Sequence, residues 1–155
     1  MTGLEWLAEP CPLPSEQHRA AAVARQGVLT KPPGSLGTLE HIAIRLAALQ
    51  ATERPSAETV QIVLFAGDHG VTAQGISAFP SAVTVEMLRN FANGGAAISV
   101  LARTLGANLD VVDVGTLATE TIAGVTTDKP CHGTRDFSGA PAMTNDELAF
   151  ALGAG

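Results

Sequence analysis

The chain has 155 residues, of which 46% are hydrophobic and 15% are charged, and its formal net charge is −6. This length and composition are typical of one globular domain with a real core, and they exclude an intrinsically disordered protein. The acidic charge argues against nucleic acid as the main partner, because phosphate binding needs clustered lysines and arginines.

The N-terminus and the cysteines bear on where the protein works. Glu5 and Glu9 are acidic where a signal peptide would be basic. No apolar run reaches the roughly 20 residues that span a bilayer. Cys11 and Cys131 lie outside any CxxC spacing, which is typical of free thiols in a reducing compartment. We therefore expect a soluble, cytoplasmic protein that does not bind membranes.

Residues 1–55 predict an N-terminal helical segment. Three prolines make residues 1–14 an extended lead-in, because proline disrupts a continuous helix. Ser15 can cap a helix that runs from about residue 16 to residue 26. Gly27 is then the expected stop signal of this helix.

A second helix is predicted after the loop at residues 29–37, which contains two prolines and two glycines. Thr38 or Ser35 is expected to cap this helix, which extends to about residue 50. Its apolar residues recur at helical spacing and form one stripe: Leu39, Ile42, Leu46 and Leu49.

Residues 56–155 predict the first part of an α/β domain. The apolar run at residues 61–66 ends in glycine, which is typical of a parallel strand buried on both faces. Helical segments at 83–91 and 96–105 follow, and then a second strand at 109–115. This order is one βαβ crossover. We therefore predict a Rossmann-like parallel sheet flanked by helices, with the N-terminal helices in a smaller helical subdomain.

The last helix is predicted to begin at Thr144, which forms a capping box with Glu147. It has only one or two turns before Gly155, and a helix of that length needs packing to be stable. We therefore expect the chain to be truncated. The preceding threonine-rich run at residues 116–127 is expected to be a loop or a weak strand.

Asp68 and His69 are the first candidates for chemistry, because they directly follow the strand at 61–66. In open α/β sheets, ligands bind beyond the carboxyl ends of the strands. An acid–base pair at this place could bind a ribose hydroxyl or a base, or transfer a proton. Alternatively, Asp68 caps the next turn and His69 hydrogen-bonds the backbone.

Other segments allow more than one interpretation. Gly94 and Gly95 could cradle phosphate or pack closely between helices, and they match no general phosphate-binding motif. The apolar and aromatic residues of segment 78–88, which include Phe79, Val83 and Met87, could line a pocket for a flat heterocycle. Composition alone favours ordinary core for these three residues. We expect no metal, because no HxxxH or CxxC spacing is present.

A series of motifs lies in a fixed order between residues 29 and 144. These motifs occupy residues 29–40, 65–71, 75–80, 83–84, 93–98, 112–115, 133–137 and 141–144. Together they resemble the family of nicotinate-nucleotide–dimethylbenzimidazole phosphoribosyltransferases, which make the α-ribazole phosphate of the cobalamin lower ligand.

The resemblance implies transfer of phosphoribose from nicotinate mononucleotide to a ring nitrogen of 5,6-dimethylbenzimidazole, with release of nicotinate and inversion at the anomeric carbon. These two small molecules are the expected partners, and we expect no cofactor. The resemblance places the base slot at the loop of residues 77–81 and the following helix, so that Phe79 and its neighbours belong to the slot rather than to core. The implied substrate-binding residues are Asp68, His69, Ser77, Phe79, Val83, Met87, Gly94 and Gly95.

The resemblance implies that the C-terminal half is missing from this chain, because the family's enzymes are longer and carry their catalytic glutamate and phosphate loop in that half. The resemblance therefore assigns the role of general base to no residue up to Gly155. It implies a homodimer for the full-length protein and an inactive fragment for this chain alone. Two alternatives remain: a non-catalytic α/β module that binds an aromatic base or nucleotide, and a non-functional product of a truncated reading frame.

Overall fold

The computed structural model describes residues 5–155. Its elements are, in chain order, a 3₁₀-helix at Glu5–Ala8, α1 (Glu16–Val28), α2 (Thr38–Leu49), β1 (Gln61–Gly67), a 3₁₀-helix at Gly70–Gln74, α3 (Ala82–Ala92), α4 (Ala97–Leu105), β2 (Asn108–Gly115), β3 (Thr126–Thr127) and α5 (Asn145–Ala154). The chain divides into two compact units, one comprising Glu9–Thr59 and the other built around Val60–Gly155.

The Glu9–Thr59 unit consists of α1 and α2, which pack against each other. Ser15 caps α1 as predicted, because its side chain accepts a 3.4 Å hydrogen bond from the backbone N–H of His18. The predicted stop at Gly27 is wrong, since α1 continues to Val28. A glycine inside a helix costs only about 1 kcal/mol relative to alanine, which neighbouring helical turns can offset.

The start of α2 differs from the sequence prediction, because neither Ser35 nor Thr38 caps it. The residue before the helix is Gly37, with φ of +52° and no side-chain cap. The backbone N–H of Leu36 donates to Glu40 Oε1 at 3.2 Å instead. The Glu40 carboxylate, which lies inside the first turn, therefore accepts a hydrogen bond from the loop that precedes the helix.

The predicted apolar stripe of α2 is mostly exposed within this structure. Leu39 and Leu49 are 62% and 61% exposed, whereas Ala47 and Ala48 are buried. The backbone N–H of Ser15 donates to the carbonyl of Ala48 at 2.9 Å. Small side chains therefore let α1 approach α2 closely, and the larger leucines lie outside that contact.

β1, β2 and β3 form a parallel sheet in this order. Ala66 lies opposite Asp113, and after a register shift Gly67 lies opposite Gly115. The connection from β1 to β2 runs through α3 and α4, which pack against the sheet. This arrangement confirms the predicted Rossmann-like parallel sheet flanked by helices, and the threonine-rich run contributes the short strand β3.

The core of this unit lies on the face of the sheet that carries Ala66 and Val111. These residues and Leu88 of α3 are buried together, and other apolar side chains pack around them: Leu64, Phe91, Leu109, Ile122 and Val125. On the other face of β1, Val63 and Phe65 are 46% and 49% exposed. The prediction that both faces of this strand are buried is therefore wrong for the described residues, because α3 and α4 cover one face.

Local signals near the two ends of the chain had different outcomes. Glu5–Ala8 forms a 3₁₀-helix, so the expected extended lead-in is wrong there, and residues 1–4 lie outside the described part. The capping box of α5 is confirmed: Thr144 and Glu147 each bond the other's backbone N–H.

Cys11 and Cys131 are free thiols. Among residues 5–155, no helix has the length and apolar character needed to cross a bilayer.

Candidate functional site

The carboxyl ends of β1 and β2 meet at Asp68. Its backbone N–H donates to the carbonyl of Gly115 at 2.9 Å, and its carbonyl accepts from the N–H of Thr134 at 3.0 Å. The next residue, His69, is paired with Thr134 in a short parallel bridge. The end of β1 is therefore fixed to the end of β2 and to the loop that contains Thr134.

The Asp68 carboxylate is buried, with 6% of the residue exposed. Its Oδ1 accepts a hydrogen bond from Thr84 Oγ1 at 2.7 Å, and its Oδ2 accepts one from the backbone N–H of Leu117 at 2.9 Å. Asp68 therefore links α3 to the loop after β2. The alternative that it caps the following turn is wrong, because that turn begins at His69 without a side-chain cap.

The imidazole of His69 is exposed. Its Nδ1 lies 3.4 Å from Thr134 Oγ1, which is a long contact for a hydrogen bond. This contact is with a side chain, rather than the backbone bond considered from the sequence. Its exposure leaves the imidazole accessible to a ligand.

A cavity of about 340 Å³ opens at the end of β1, beside α3. Six of the predicted site residues line it: Asp68, His69, Ser77, Phe79, Val83 and Met87. Val83 and Met87 are four residues apart on α3 and so lie on one face of the helix. Phe79 is 70% exposed, which leaves much of its ring free for contact with a ligand.

The loop before α3 is held by Ser77. Its hydroxyl donates to the carbonyl of Phe79 at 2.8 Å and accepts from the N–H of the same residue at 3.3 Å. These two bonds fix the turn that presents the phenylalanine ring. Ser77 therefore orders the apolar part of the cavity as well as lining it.

Pro80 and Ser81 also line the cavity, and both belong to the loop of residues 77–81 that the resemblance names. Thr72 and Thr84 line it too and were missed by the sequence reasoning. Thr84 is the most consequential of these, because its hydroxyl bonds Asp68. The sequence signal that could have identified Thr84 was its position next to Val83, in the helix that follows the strand.

Gly94 and Gly95 do not line this cavity, but form the turn between α3 and α4. Gly94 has φ of +79°, and a Cβ added at Gly95 would lie 2.4 Å from Asn90 Oδ1. These features fit the close-packing alternative. A role in phosphate binding stays a prediction.

A second cavity, of about 250 Å³, shares Gly67, Asp68 and His69 with the first. Its other lining residues come from β1, β2 and the C-terminal part of the chain, and most are apolar: Phe65, Val114, Gly115, Cys131, Gly133, Thr134, Met143, Ala151 and Gly155. The segment after β1 therefore contributes to two recesses, and the resemblance places the base only in the first.

Asp113 near the end of β2 is the most buried carboxylate of the site region, with 2% exposure. Burial raises the pKa of this carboxyl, but hydrogen bonds from Lys129, Thr116 and Gly115 outweigh burial and hold the pKa below its usual value. Asp113 is therefore charged at neutral pH. Sequence spacing gave no signal that Lys129 would pair with it.

The parallel sheet and its flanking helices define an α/β domain with a cavity at the carboxyl end of β1, where ligands of open α/β sheets bind. Residues 11–155 match a family model described as phosphoribosyltransferase, and the chain belongs to that family.

The relatives carry a more specific name. The nicotinate-nucleotide–dimethylbenzimidazole phosphoribosyltransferase of Bradyrhizobium sp. (strain BTAi1) is 61% identical over 151 residues, which are 97% of this chain and 43% of that protein. The protein of the same name from Pseudomonas aeruginosa (strain PAO1) is 56% identical over 153 residues, which are 98% of this chain and 44% of that protein. These relatives confirm the resemblance found in the sequence.

A solved structure agrees with the sequence relatives. The crystal structure of the nicotinate-nucleotide–dimethylbenzimidazole phosphoribosyltransferase from Thermus thermophilus is 40% identical and has a TM-score of 0.81, covering 88% of this chain and 42% of that one. The chain thus spans less than half the length of the relatives it matches.

Proposed function

We propose that this chain forms the base-binding part of an enzyme that transfers phosphoribose from nicotinate mononucleotide to 5,6-dimethylbenzimidazole. The bond from ribose C1′ to the nicotinate nitrogen breaks, and a benzimidazole nitrogen forms a new bond to C1′ while the ring loses a proton. The products are nicotinate and α-ribazole 5′-phosphate, an intermediate in assembly of the cobalamin nucleotide loop.

The cavity beside α3 is the observation that carries this proposal. Its volume of about 340 Å³ lies within the range of roughly 300–1,000 Å³ that is usual for small-molecule sites. Phe79, Val83 and Met87 supply apolar surface for a flat ring. Asp68 and His69 add polar groups at the strand end, where ligands of open α/β sheets bind.

Asp68 is part of the cavity wall in this proposal and is not the general base. Both carboxylate oxygens already accept hydrogen bonds, from Thr84 and from the Leu117 backbone. Its negative charge can still stabilise the positive charge that develops on the ribose as nicotinate leaves. We propose that the proton acceptor is the glutamate that the resemblance places in the family's C-terminal half, so that this chain alone is inactive.

The remaining parts of the proposal concern organisation. Residues 1–55 form the N-terminal helical domain, and residues 56–155 form the first part of the α/β domain. Gly94 and Gly95 contribute to substrate binding from the α3–α4 turn. The full-length protein is a cytoplasmic homodimer that uses no metal or cofactor. The family resemblance supports the homodimer and the role of Gly94 and Gly95, and the sequence patterns described above support the domain bounds, the location and the absence of a metal.

Separate titrations with 5,6-dimethylbenzimidazole and nicotinate mononucleotide test the proposal. The chain is expected to bind the base saturably and to form no α-ribazole phosphate when both substrates are present. Absence of base binding would contradict the assignment of the cavity. Steady product formation by this chain would contradict its inactivity, and tight binding of many unrelated aromatic bases would favour a general binding module.

A further inference from the structure

A buried ion pair joins β2 to the segment that follows β3. Lys129 Nζ is 2.7 Å from Asp113 Oδ2, and their side chains are 10% and 3% exposed. The same ammonium group donates to the carbonyls of Thr116 at 3.1 Å and Ala118 at 2.8 Å. Because a lysine ammonium has three donors, these three acceptors use all of them.

Asp113 holds the same loop from the other side. Its Oδ1 accepts from the backbone N–H groups of Gly115 at 3.1 Å and Thr116 at 2.7 Å, and its Oδ2 accepts from Thr116 Oγ1 at 2.9 Å. Lysine and aspartate therefore clamp the loop of residues 115–118 through both its N–H and its carbonyl groups.

The clamped loop in turn holds Asp68. Gly115 at its start accepts the Asp68 backbone N–H, and Leu117 donates its own N–H to Asp68 Oδ2, both at 2.9 Å. The path of the loop sets the direction of the Leu117 N–H, because this group belongs to the loop backbone. A continuous chain of hydrogen bonds thus runs from the ion pair to the carboxylate at the cavity wall.

We propose that the Lys129–Asp113 ion pair is a positioning device: it fixes the loop of residues 115–118, which orients the Asp68 carboxylate, and so sets the affinity of the cavity for a benzimidazole. This inference rests on the proposed function. Lys129 and Asp113 are positioning residues, since neither lines the cavity beside α3.

Stability alone gives a weaker account of this pair. A buried ion pair is in general no more stabilising than well-packed apolar residues of the same volume. Its directional contacts, however, are specific to the backbone of one loop, and that loop touches Asp68. In a variant that stays folded, the stability account predicts unchanged ligand binding, whereas the positioning account predicts weaker binding.

Lys129→Met tests the difference, because methionine keeps most of the side-chain length and removes the charge and the donors. With the folded chain, the affinity for 5,6-dimethylbenzimidazole is expected to fall about tenfold, since changes along a connected hydrogen-bond network alter coupling to a site by this order. The ¹H–¹⁵N resonance of the Leu117 backbone amide is expected to move upfield as its bond to the Asp68 carboxylate weakens.

Ala102→Gly is the matched control, because Ala102 is 2% exposed in α4 and its truncation destabilises the same unit without touching the loop. This variant is expected to keep its affinity within about twofold. An unchanged affinity in folded Lys129→Met overturns the proposal, and so does an equal loss of affinity in Ala102→Gly.

A second variant decides the question if Lys129→Met does not fold. Thr116→Val removes the hydroxyl that donates to Asp113 and accepts from the Ala118 N–H, and it keeps the ion pair, so a loss of affinity smaller than tenfold is expected. No loss in this variant overturns the proposal. If the unaltered chain binds no benzimidazole, the proposed function fails and this inference fails with it. If the unaltered chain binds and both folded variants bind as tightly, this inference alone is overturned.

Discussion

Thr84 Oγ1 donates a 2.7 Å hydrogen bond to Asp68 Oδ1 and thereby fastens α3 to the end of β1. Val83 is adjacent to this threonine, and Met87 follows one turn later on the cavity-facing side of the helix. The bond therefore determines how far the apolar wall of the cavity stands from the strand end.

Thr84→Val is expected to lower the free energy of unfolding by about 1–3 kcal/mol, because a buried carboxylate oxygen of Asp68 loses a donor. Affinity for 5,6-dimethylbenzimidazole should fall as well. Urea unfolding and base titration measure the two effects. Thr104→Val is the control, since its hydroxyl bonds only the Val100 carbonyl on an exposed helix face. Equal stability of the two variants would refute the role given to Thr84.

Met87→Ala is expected to weaken base binding by about 1 kcal/mol or more, because the shortened side chain buries fewer methylene groups against the ring. The comparison variant is Val100→Ala in α4, which is 43% exposed and does not line the cavity. Calorimetric titration of both variants measures the difference. If Met87→Ala binds as tightly as Val100→Ala, the base lies elsewhere.

Gly70→Ala is expected to destabilise the α/β unit by about 1–3 kcal/mol through overpacking. A Cβ at Gly70 would lie 2.5 Å from the backbone nitrogen of Asp136 and 2.6 Å from the carbonyl oxygen of Thr134. Gly139→Ala is the control, because no atom of the described residues lies within 4 Å of a Cβ placed there. Chemical denaturation compares the variants, and a harmless Gly70→Ala would contradict the close approach of these two loops.

Acid is expected to weaken the contact of Glu147. Hydrogen bonds from Arg135 and from the Thr144 backbone lower the pKa of its carboxyl from 4.5 to about 2. Because the folded-state pKa is depressed, the stabilisation is present above pH 4.5 and is lost as pH falls toward about 2. The stability difference between the unaltered chain and Glu147→Gln should therefore shrink over this interval.

Urea midpoints at several pH values measure that difference. Arg135→Gln removes the largest cause of the pKa shift, so the same comparison made in its background should show a smaller dependence on pH. A stability difference that stays constant from pH 4.5 to about pH 2 would rule out a depressed pKa at Glu147.

Local signals predicted much of the secondary structure. Ser15 and the Thr144–Glu147 pair cap their helices as expected, because each cap joins residues only three positions apart. The start of α2 was missed because Gly37 precedes the helix without a side-chain cap, and Glu40 inside the helix accepts the N–H of Leu36 in the loop. Which residue stands before the helix depends on the path of the loop, which sequence spacing does not show.

The candidate site was predictable in its place but not in its hydrogen bonds. Its location beyond β1 follows from an apolar run that ends in Gly67, and the motifs of the family name the loop that holds Phe79. The exposed face of β1 was not foreseen, because an apolar run does not show how many helices cover it. Val63 and Phe65 are exposed because α3 and α4 both pack on the opposite face of the sheet, which only the tertiary structure shows.

The sequence by itself determined the order of the main elements, the caps of α1 and α5, the parallel sheet and the family, because periodicity, capping and motifs are local patterns. Only the tertiary structure decided what Asp68 does. It meets Thr84 16 residues later and the Leu117 backbone 49 residues later, and Lys129 reaches Asp113 across 16 residues. Contacts over such separations form only when the sheet and its helices pack, so the role of each carboxylate depends on the fold that surrounds it.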